Sequence, residues 1–416
     1  MTWKCVSEEI VNNIRKNKIL FKDLPRLSEA ETREYVRERK QIIDRLRKKG
    51  VKVTQKGNSI FYGNLSEGCK VCKRGEGLGL FMLYKCTREC FFCPIPGVRE
   101  KPKKTEITLG NLKIKNPDHL VNVLKKWKMK GIGVSGGDPL CMLEKTLEFI
   151  SKMKKEMGND FFIWLYTNGD LATIKNLKKL KNAGLNEIRF DLAAREYDLK
   201  PVKDAKGIID VVTVETPAFP EDEDKIKEIL PKLKKLGIDY LNLQELILNE
   251  SNFEDMKTRG YKILVGSSET DFRISIPVYD SEMSALRIME FAIDEKIGIP
   301  VNVCTRYYKR HVQISMKNKR MAEVMKRPHE IVTDTGYLEK LVIDEPNEKV
   351  EKLVKRLKSE GIPTEKIFYS KEMDRFEFHP SLLKQIDLRD FKVVDVLARP
   401  CIVHEDRHDI YIKNLN

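Results

Sequence analysis

The chain has 416 residues, 78 of them Lys or Arg and 63 Asp or Glu, for a formal net charge of +15. That length allows two or three domains with real cores. No run of about 18 apolar residues and no signal-like N-terminus is present, which excludes a membrane or secreted class and leads us to expect a cytoplasmic protein. Nine cysteines, odd in number and clustered, point in such a protein to metal or redox chemistry rather than to disulfides. The positive charge invites a polyanionic partner such as RNA or an acidic protein face. With 34% charged residues rich in Lys and Glu, it also fits the surface habit of thermophiles, and that reading accounts for most of the charge.

Residues 1–50 read as helical. Ser28-Glu-Ala-Glu31 is a capping box, and Tyr35, Val36, Ile42, Ile43 and Leu46 form an apolar face that Gly50 ends. Val51–Val53 and Ile60–Tyr62 flank Lys56-Gly57-Asn58 and read as a hairpin. Cys69-x2-Cys72 follows; two thiolates need two more ligands to hold zinc or a cluster. Cys304 and Cys401 are the expected partners in such an auxiliary site, with Cys141, His404 and His408 as other candidates. A Cys69–Cys72 disulfide is the alternative. The glycine-rich Gly75–Gly79 precedes a strand rather than a helix and reads as backbone slack, not as a phosphate loop.

The apolar run Leu80–Tyr84 reads as a buried strand that opens into Cys86-x3-Cys90-x2-Cys93. Iron–sulfur clusters normally take four thiolates, so a local set of three implies an iron left open to bind a ligand; a zinc site is the alternative. From Leu80 to Leu243 strand and helix alternate six times. Strands are expected at Leu80–Tyr84, Ile132–Ser135, Phe161–Tyr166, Glu187–Asp191, Val211–Glu215 and Tyr240–Leu243. Helices are expected at Asp118–Lys130, Leu143–Met157, Leu171–Ala183 and Asp222–Leu236. This alternation implies a parallel sheet, and parallel barrels carry their chemistry at the C-terminal strand ends. The three cysteines, Gly136-Gly137-Asp138, Asn168, Asp191, Glu215, Gln244 and Glu245 all fall at such ends.

Cys86-x3-Cys90-x2-Cys93, with the aromatic Phe92 before the last cysteine, resembles the motif of the radical S-adenosylmethionine (radical SAM) enzymes. Within that superfamily the chain resembles archaeal proteins related to pyruvate formate-lyase activating enzyme. The resemblance covers residues from about 68 to 245. It implies a [4Fe–4S] cluster on Cys86, Cys90 and Cys93 whose open iron chelates SAM, and a low-potential electron donor. It further implies reductive cleavage of SAM to a 5′-deoxyadenosyl radical, and an oxygen-sensitive, anaerobic chemistry. Phe92 would pack near adenine. Gly136, Gly137 and Asp138 match the family's GGE motif and would hold the methionine moiety, Asp replacing Glu with one methylene less reach. Asn168 falls in a Thr-Asn-Gly strand end and Asp191 at a ribose-binding position, though Asn168-Gly169 also makes a good turn and Asp191 a good cap.

Further on, Glu282–Glu295 reads as a helix and Ile299–Val303 as a strand ending at Cys304. The segment Arg306–Arg327 carries eight basic residues and two tyrosines, a combination that suits single-stranded RNA or an acidic protein unless it is a solvated helix face. A small α+β end follows: strands at Leu341–Ile343, Ile367–Tyr369, Phe376–Phe378 and Val393–Leu397, and a helix at Glu348–Glu360. The expected fold class is therefore α/β: a partial (β/α)6 radical SAM barrel with an N-terminal helical and hairpin extension and a small C-terminal α+β domain. Expected boundaries are 1–66, 67–300, a basic connector at 301–335, and 336–416. Three readings of function remain at this point: a radical SAM enzyme acting on RNA or protein, one acting on a small molecule, and a non-catalytic iron–sulfur protein that binds RNA or a partner.

Overall fold

The structure is a computed structural model that describes residue 22 and residues 24–415, except 55–56, 58, 96–105, 111, 264–275, 344–347, 387–390 and 402–405. The expected helix within residues 1–21 lies outside the described residues. Two compact units are present, within Asn13–Gln313 and Ile314–Asn416. Among the described residues no helix is long and apolar enough to cross a membrane.

The first unit opens with α1 (Glu29–Lys48), whose Ser28 and Glu31 exchange the two bonds of a capping box. Tyr35, Ile42, Ile43 and Leu46 are buried as expected. Val36 is 58% exposed, because it lies one helical step off that stripe. The hairpin β1 (Lys52–Thr54) and β2 (Ser59–Tyr62) follows, then α2 (Glu67–Lys73). The first barrel strand, β3 (Gly77–Phe81), begins inside the glycine-rich stretch rather than after it. Gly77 and Gly79 are strand, not slack, and Gly77, with Gly131 and Gly133 of the neighbouring strand, leaves room for the Trp164 ring. A Cβ would lie 3.1 Å from the Trp164 ring at Gly77, 3.2 Å at Gly131 and 2.5 Å at Gly133.

A short hairpin, β4 (Thr108–Leu109) and β5 (Leu112–Lys113), edges the sheet beside β3. Then α3 (Pro117–Lys126), β6 (Gly131–Ser135), α4 (Leu143–Met157), β7 (Phe162–Thr167), α5 (Ile174–Ala183) and β8 (Glu187–Phe190) alternate. They continue through α6 (Lys200–Ala205), β9 (Val211–Pro217), α7 (Glu223–Leu236) and β10 (Tyr240–Gln244). A small excursion, β11 (Ile247–Leu248), α8 (Phe253–Lys257) and β12 (Ile276–Pro277), leads to α9 (Tyr279–Asp294) and β13 (Val301–Cys304). Strands β3, β6, β7, β8, β9, β10 and β13 run parallel in that order. The six expected strands are all there, and β13, expected beyond the barrel, adds a seventh. Its free edge is closed by antiparallel β2.

Strand alternation sorts the residues. Ile188, Phe190, Val212, Val214, Leu241 and Leu243 are buried apolar positions. The intervening Glu187, Arg189, Thr213, Glu215, Asn242 and Gln244 hydrogen-bond to one another. One face of every strand thus packs against helices, and the other builds a polar lumen.

The second unit contains α10 (Ser315–Met325), β14 (Ile331–Val332), β15 (Leu338–Ile343), α11 (Glu348–Ser359), β16 (Ile367–Ser370), β17 (Arg375–Phe378), β18 (Val394–Cys401) and β19 (Asp406–Asn414). It is an antiparallel sheet ordered β16-β17-β15-β18-β19, with β14 on β15. Val350, Leu353, Val354 and Leu357 of α11 form its core with Leu341, Ile343 and Phe378. A buried ion cluster lies within it: Glu377 accepts from His329, Lys340 and Arg375, and Arg375 also reaches Asp409.

Candidate functional site

Beyond β3 the chain runs on as an extended stretch toward the cysteines, held to the end of β6 by three backbone bonds. Met82 N donates to Ser135 O (2.9 Å), Gly137 N to Leu83 O (2.7 Å) and Asp138 N to Lys85 O (2.8 Å). The approach is so close that only glycine fits. A Cβ at Gly137 would stand 2.0 Å from Lys85 O and one at Gly136 2.4 Å from Leu83 O, and Gly136 has φ +126°. On its other side the cysteine loop is fixed by Asn252, which donates to Phe92 O at 3.0 Å. Phe91 and Phe92 pack on Phe219 with centroids 5.2 and 5.1 Å away, and the Arg259 guanidinium sits 3.6 Å over the Phe91 ring.

The loop forms one wall of a cavity of about 370 Å³ at the C-terminal strand ends. Cys86, Cys90, Cys93, Phe92, Gly136 and Gly137 all line it. Burial pushes the Cys86 thiol up and the Cys90 thiol to about 12, the Asp191 charge adding to the latter; ionising them calls for a compensating cation. Four thiolates around one zinc would stand about 3.8 Å apart. Among the described residues the only trio of metal-ligating atoms within 4.8 Å of one another is His329, Glu330 and Glu377 in the second unit. The three loop sulfurs therefore do not all lie within 4.8 Å of one another, wider than the ligands of a single zinc ion.

Asp138, expected to help hold the methionine moiety, is engaged by the chain itself. Its side chain is 1% exposed and is not among the cavity-lining residues. The carboxylate accepts from Leu140 N (3.0 Å), Thr167 Oγ1 (2.8 Å) and Asn168 N (3.0 Å), so it ties the end of β6 to the end of β7 instead of reaching for a ligand. Burial pushes its pKa up against those bonds. Asn168 does line the cavity, but its amide is engaged by the chain. Nδ2 donates to Cys86 Sγ (3.4 Å) and Thr87 Oγ1 (2.9 Å), and Oδ1 accepts from Asp170 N (2.8 Å). Asp191 faces the cavity; burial pushes it up to about 7 despite bonds from Ala194 N and Ala193 N.

The opposite wall holds residues that the motif reading passed over or left open. Arg189 is 3% exposed and bridges Glu187 and Glu215, each at 2.8 Å. Gln244 donates to Glu215 at 2.7 Å. Glu245 accepts from Arg306 N at 2.5 Å, and burial beside Glu282 pushes its carboxyl up to about 8. Lys309, expected on a solvated basic face, lines the cavity, and Arg306 is buried. Arg88 also lines it and forms a two-pronged pair with Asp170 (2.7 and 2.8 Å), which also takes Arg195 at 2.6 Å. The Arg88 hydrogen bonds hold Asp170 at about 2 despite burial. The signal for Arg189 was in the sequence: Glu187-Ile-Arg189-Phe-Asp191 alternates polar and apolar on a strand flanked by helices.

Three of the four cysteines expected in an auxiliary site, Cys69, Cys72 and Cys304, have described side chains. Cys69 and Cys72 share a turn of α2, and Cys304 ends β13. Their charges act on one another, yet they are free thiols and fall outside the 4.8 Å trio described above. Cys69 Sγ is instead surrounded by Arg189 (3.5 Å) and Asn242 (3.4 Å). Cys401 belongs to the second unit, and its side chain, like His404 and the His408 side chain, lies outside the described residues.

Residues 80–258 match the Radical SAM superfamily profile. This segment is a radical SAM domain. Membership implies a [4Fe–4S] cluster and SAM as cofactors. The chain is also 28% identical over 288 residues to a Methanocaldococcus jannaschii protein provisionally named a glycyl-radical enzyme activating enzyme, covering 67% of this chain and 73% of that one. Among solved structures it overlaps Streptococcus suis SuiB bound to precursor peptide SuiA, with TM-score 0.38, 11% identity, and 65% and 53% of the two chains covered. It also overlaps coproporphyrinogen III oxidase from Escherichia coli, a radical SAM enzyme, with TM-score 0.33, 11% identity, and 57% and 58% covered. The chain spans just over half the length of these two structures.

Proposed function

We propose that this protein is a radical SAM enzyme of the activating-enzyme type, with Cys86, Cys90 and Cys93 as the cluster ligands and a protein as its substrate. The observation that carries it is the convergence of the three thiols of one loop on a single cavity at the C-terminal strand ends. When bound, the cluster and SAM supply reductive cleavage of the sulfonium and hydrogen-atom abstraction, with electrons from a low-potential donor. The chain's share is position and electrostatics. Gly136 and Gly137 keep the loop against β6, Phe92 offers an aromatic face on the cavity, and Asp191 offers an acceptor to the ribose. Arg189, Glu215 and Gln244 close the floor against water. The name of the M. jannaschii relative supports a protein substrate. For RNA the support is thinner, because two of the eight basic residues that pointed to it turn inward: Arg306 is buried and Lys309 belongs to the cavity wall.

The test is anaerobic. Reconstituted and reduced protein is given SAM, 5′-deoxyadenosine is assayed, and iron is counted, beside the triple variant Cys86→Ala, Cys90→Ala, Cys93→Ala. Deoxyadenosine and about four irons from wild type, and neither from the variant, is the expected result. Iron left in the variant would locate a second cluster. A folded wild type that takes up no iron would refute the reading.

A further inference from the structure

We propose that Asn168 tunes the cluster: its amide is a built-in hydrogen-bond donor to the Cys86 sulfur that raises the ease of reducing the cluster. The inference rests on the functional reading above, with Cys86 as a cluster ligand. Asn168 Nδ2 stands 3.4 Å from Cys86 Sγ, and Arg88 N is a second donor to the same sulfur at 3.5 Å. The direction of the amide is set by its surroundings. Oδ1 accepts from Asp170 N at 2.8 Å, which leaves Nδ2 facing Cys86 and Thr87. Asn168 N is in turn held by Asp138 at 3.0 Å, and the residue is 8% exposed.

Asp170 connects the two donors. Its own backbone N–H orients Asn168, and its carboxylate grips the Arg88 guanidinium in a two-pronged pair. The turn Thr167–Asp170 therefore fixes both N–H groups that converge on one thiolate. An N–H aimed at a ligand sulfur draws charge from it and favours the more negative, reduced state, and hydrogen bonds to the sulfurs are among the factors that set cluster potentials. Aspartate at this position would keep the bond from Asp170 N but set an acidic oxygen against the sulfur.

The experiment compares reconstituted wild type, Asn168→Ala and Asn168→Asp by anaerobic redox titration followed by EPR, with iron counts and melting temperatures of the metal-free proteins. At the wild-type midpoint, the ratio of reduced to oxidised cluster in Asn168→Ala is expected to be about tenfold lower, equal to about 59 mV for a one-electron couple, and in Asn168→Asp lower again. Full iron with an unchanged midpoint in both variants overturns the inference alone. A wild type that holds no cluster overturns the functional reading and this inference with it. Should the variants fail to load, an unchanged melting temperature places the defect at the thiolate, as proposed. A lowered one in both assigns Asn168 to the turn and overturns the proposal.

Discussion

Replacing Asp138 by alanine separates the role found for it from the one its motif implies. The substitution removes the acceptor of three buried donors, Leu140 N, Thr167 Oγ1 and Asn168 N. A buried donor left without an acceptor costs about 1–3 kcal/mol. The carboxyl is itself raised by burial, which offsets part of the loss, so we expect a net cost near the low end, about 3 kcal/mol for the three. For a unit of this size about 2–4 °C is lost per kcal/mol, or about 6–12 °C. The sign of the pH dependence follows from the raised pKa. The folded state holds the Asp138 proton to higher pH than the unfolded state, so its contribution is full below the unfolded value of 3.8 and declines as pH rises through the folded value. Melting curves of wild type and Asp138→Ala followed by circular dichroism from pH 4 to 8 should show a gap that narrows with rising pH. A gap under about 2 °C, with weaker SAM binding by intact protein, would refute the structural role and restore the ligand contact.

Asn at position 191 should flatten a pH profile. The Asp191 carboxyl is pushed up to about 7, so wild-type affinity for SAM is expected to rise as the pH passes through 7 and the ribose acceptor ionises, and Asp191→Asn should lose that step. Anaerobic equilibrium titrations from pH 6 to 8 check this, and matching profiles would sink it. Because the same pKa is raised on folding, the Asp191 contribution to stability falls between 3.8 and about 7. Gly137→Ala places a Cβ 2.0 Å from Lys85 O and should abolish iron uptake while Gly110→Ala, whose Cβ meets nothing within 4 Å, retains it. In the second unit, Glu377→Gln leaves Lys340 and Arg375, both 2% exposed, short of a charge partner. The expected cost is about 3–5 kcal/mol, measured as a fall of more than 10 °C in that unit's transition. Burial alone would raise the Glu377 carboxyl, but bonds from His329 and Lys340 and the Arg375 charge hold it far below 4.5. Its stabilisation is therefore present above about 4.5 and lost as pH falls.

Periodicity carried the barrel. The apolar positions of Ile132–Ser135 or Val211–Glu215 are set by local pattern alone, and their strands stand where the pattern puts them. It failed at Gly77–Phe81, where Gly77 leaves room for Trp164, two strands over. No local rule reads glycines as the space for a distant indole. The cysteine loop was legible because its three thiols lie close together in the chain; the bonds of Asp138 were not, because a motif records which residue stands at a strand end, not which way its side chain turns. Lys309 was misread for a related reason. A run of basic residues looks solvated until the helix that carries it is packed, and only then are Arg306 and Lys309 drawn inward.

The polar lumen explains why the chemistry is confined to the mouth. Arg189 carries one positive charge between Glu187 and Glu215, takes Ser66 Oγ from below, and stacks near Trp164 and Tyr166 at 5.3 and 5.4 Å. Asn242 extends the same network to Cys69 and Asn302. A barrel filled in this way is a packed core, not a pore, and Arg189 is shared between two carboxylates, Glu187 and Glu215. The ligand space therefore ends at Arg189, Glu215 and Gln244. Any substrate atom that reacts must enter from the side of the cysteine loop, where Phe92, Asn168 and Asp191 stand. The network that looks like a functional cluster is thus the packed floor of the cavity, beneath the strand ends that carry the candidate ligand residues.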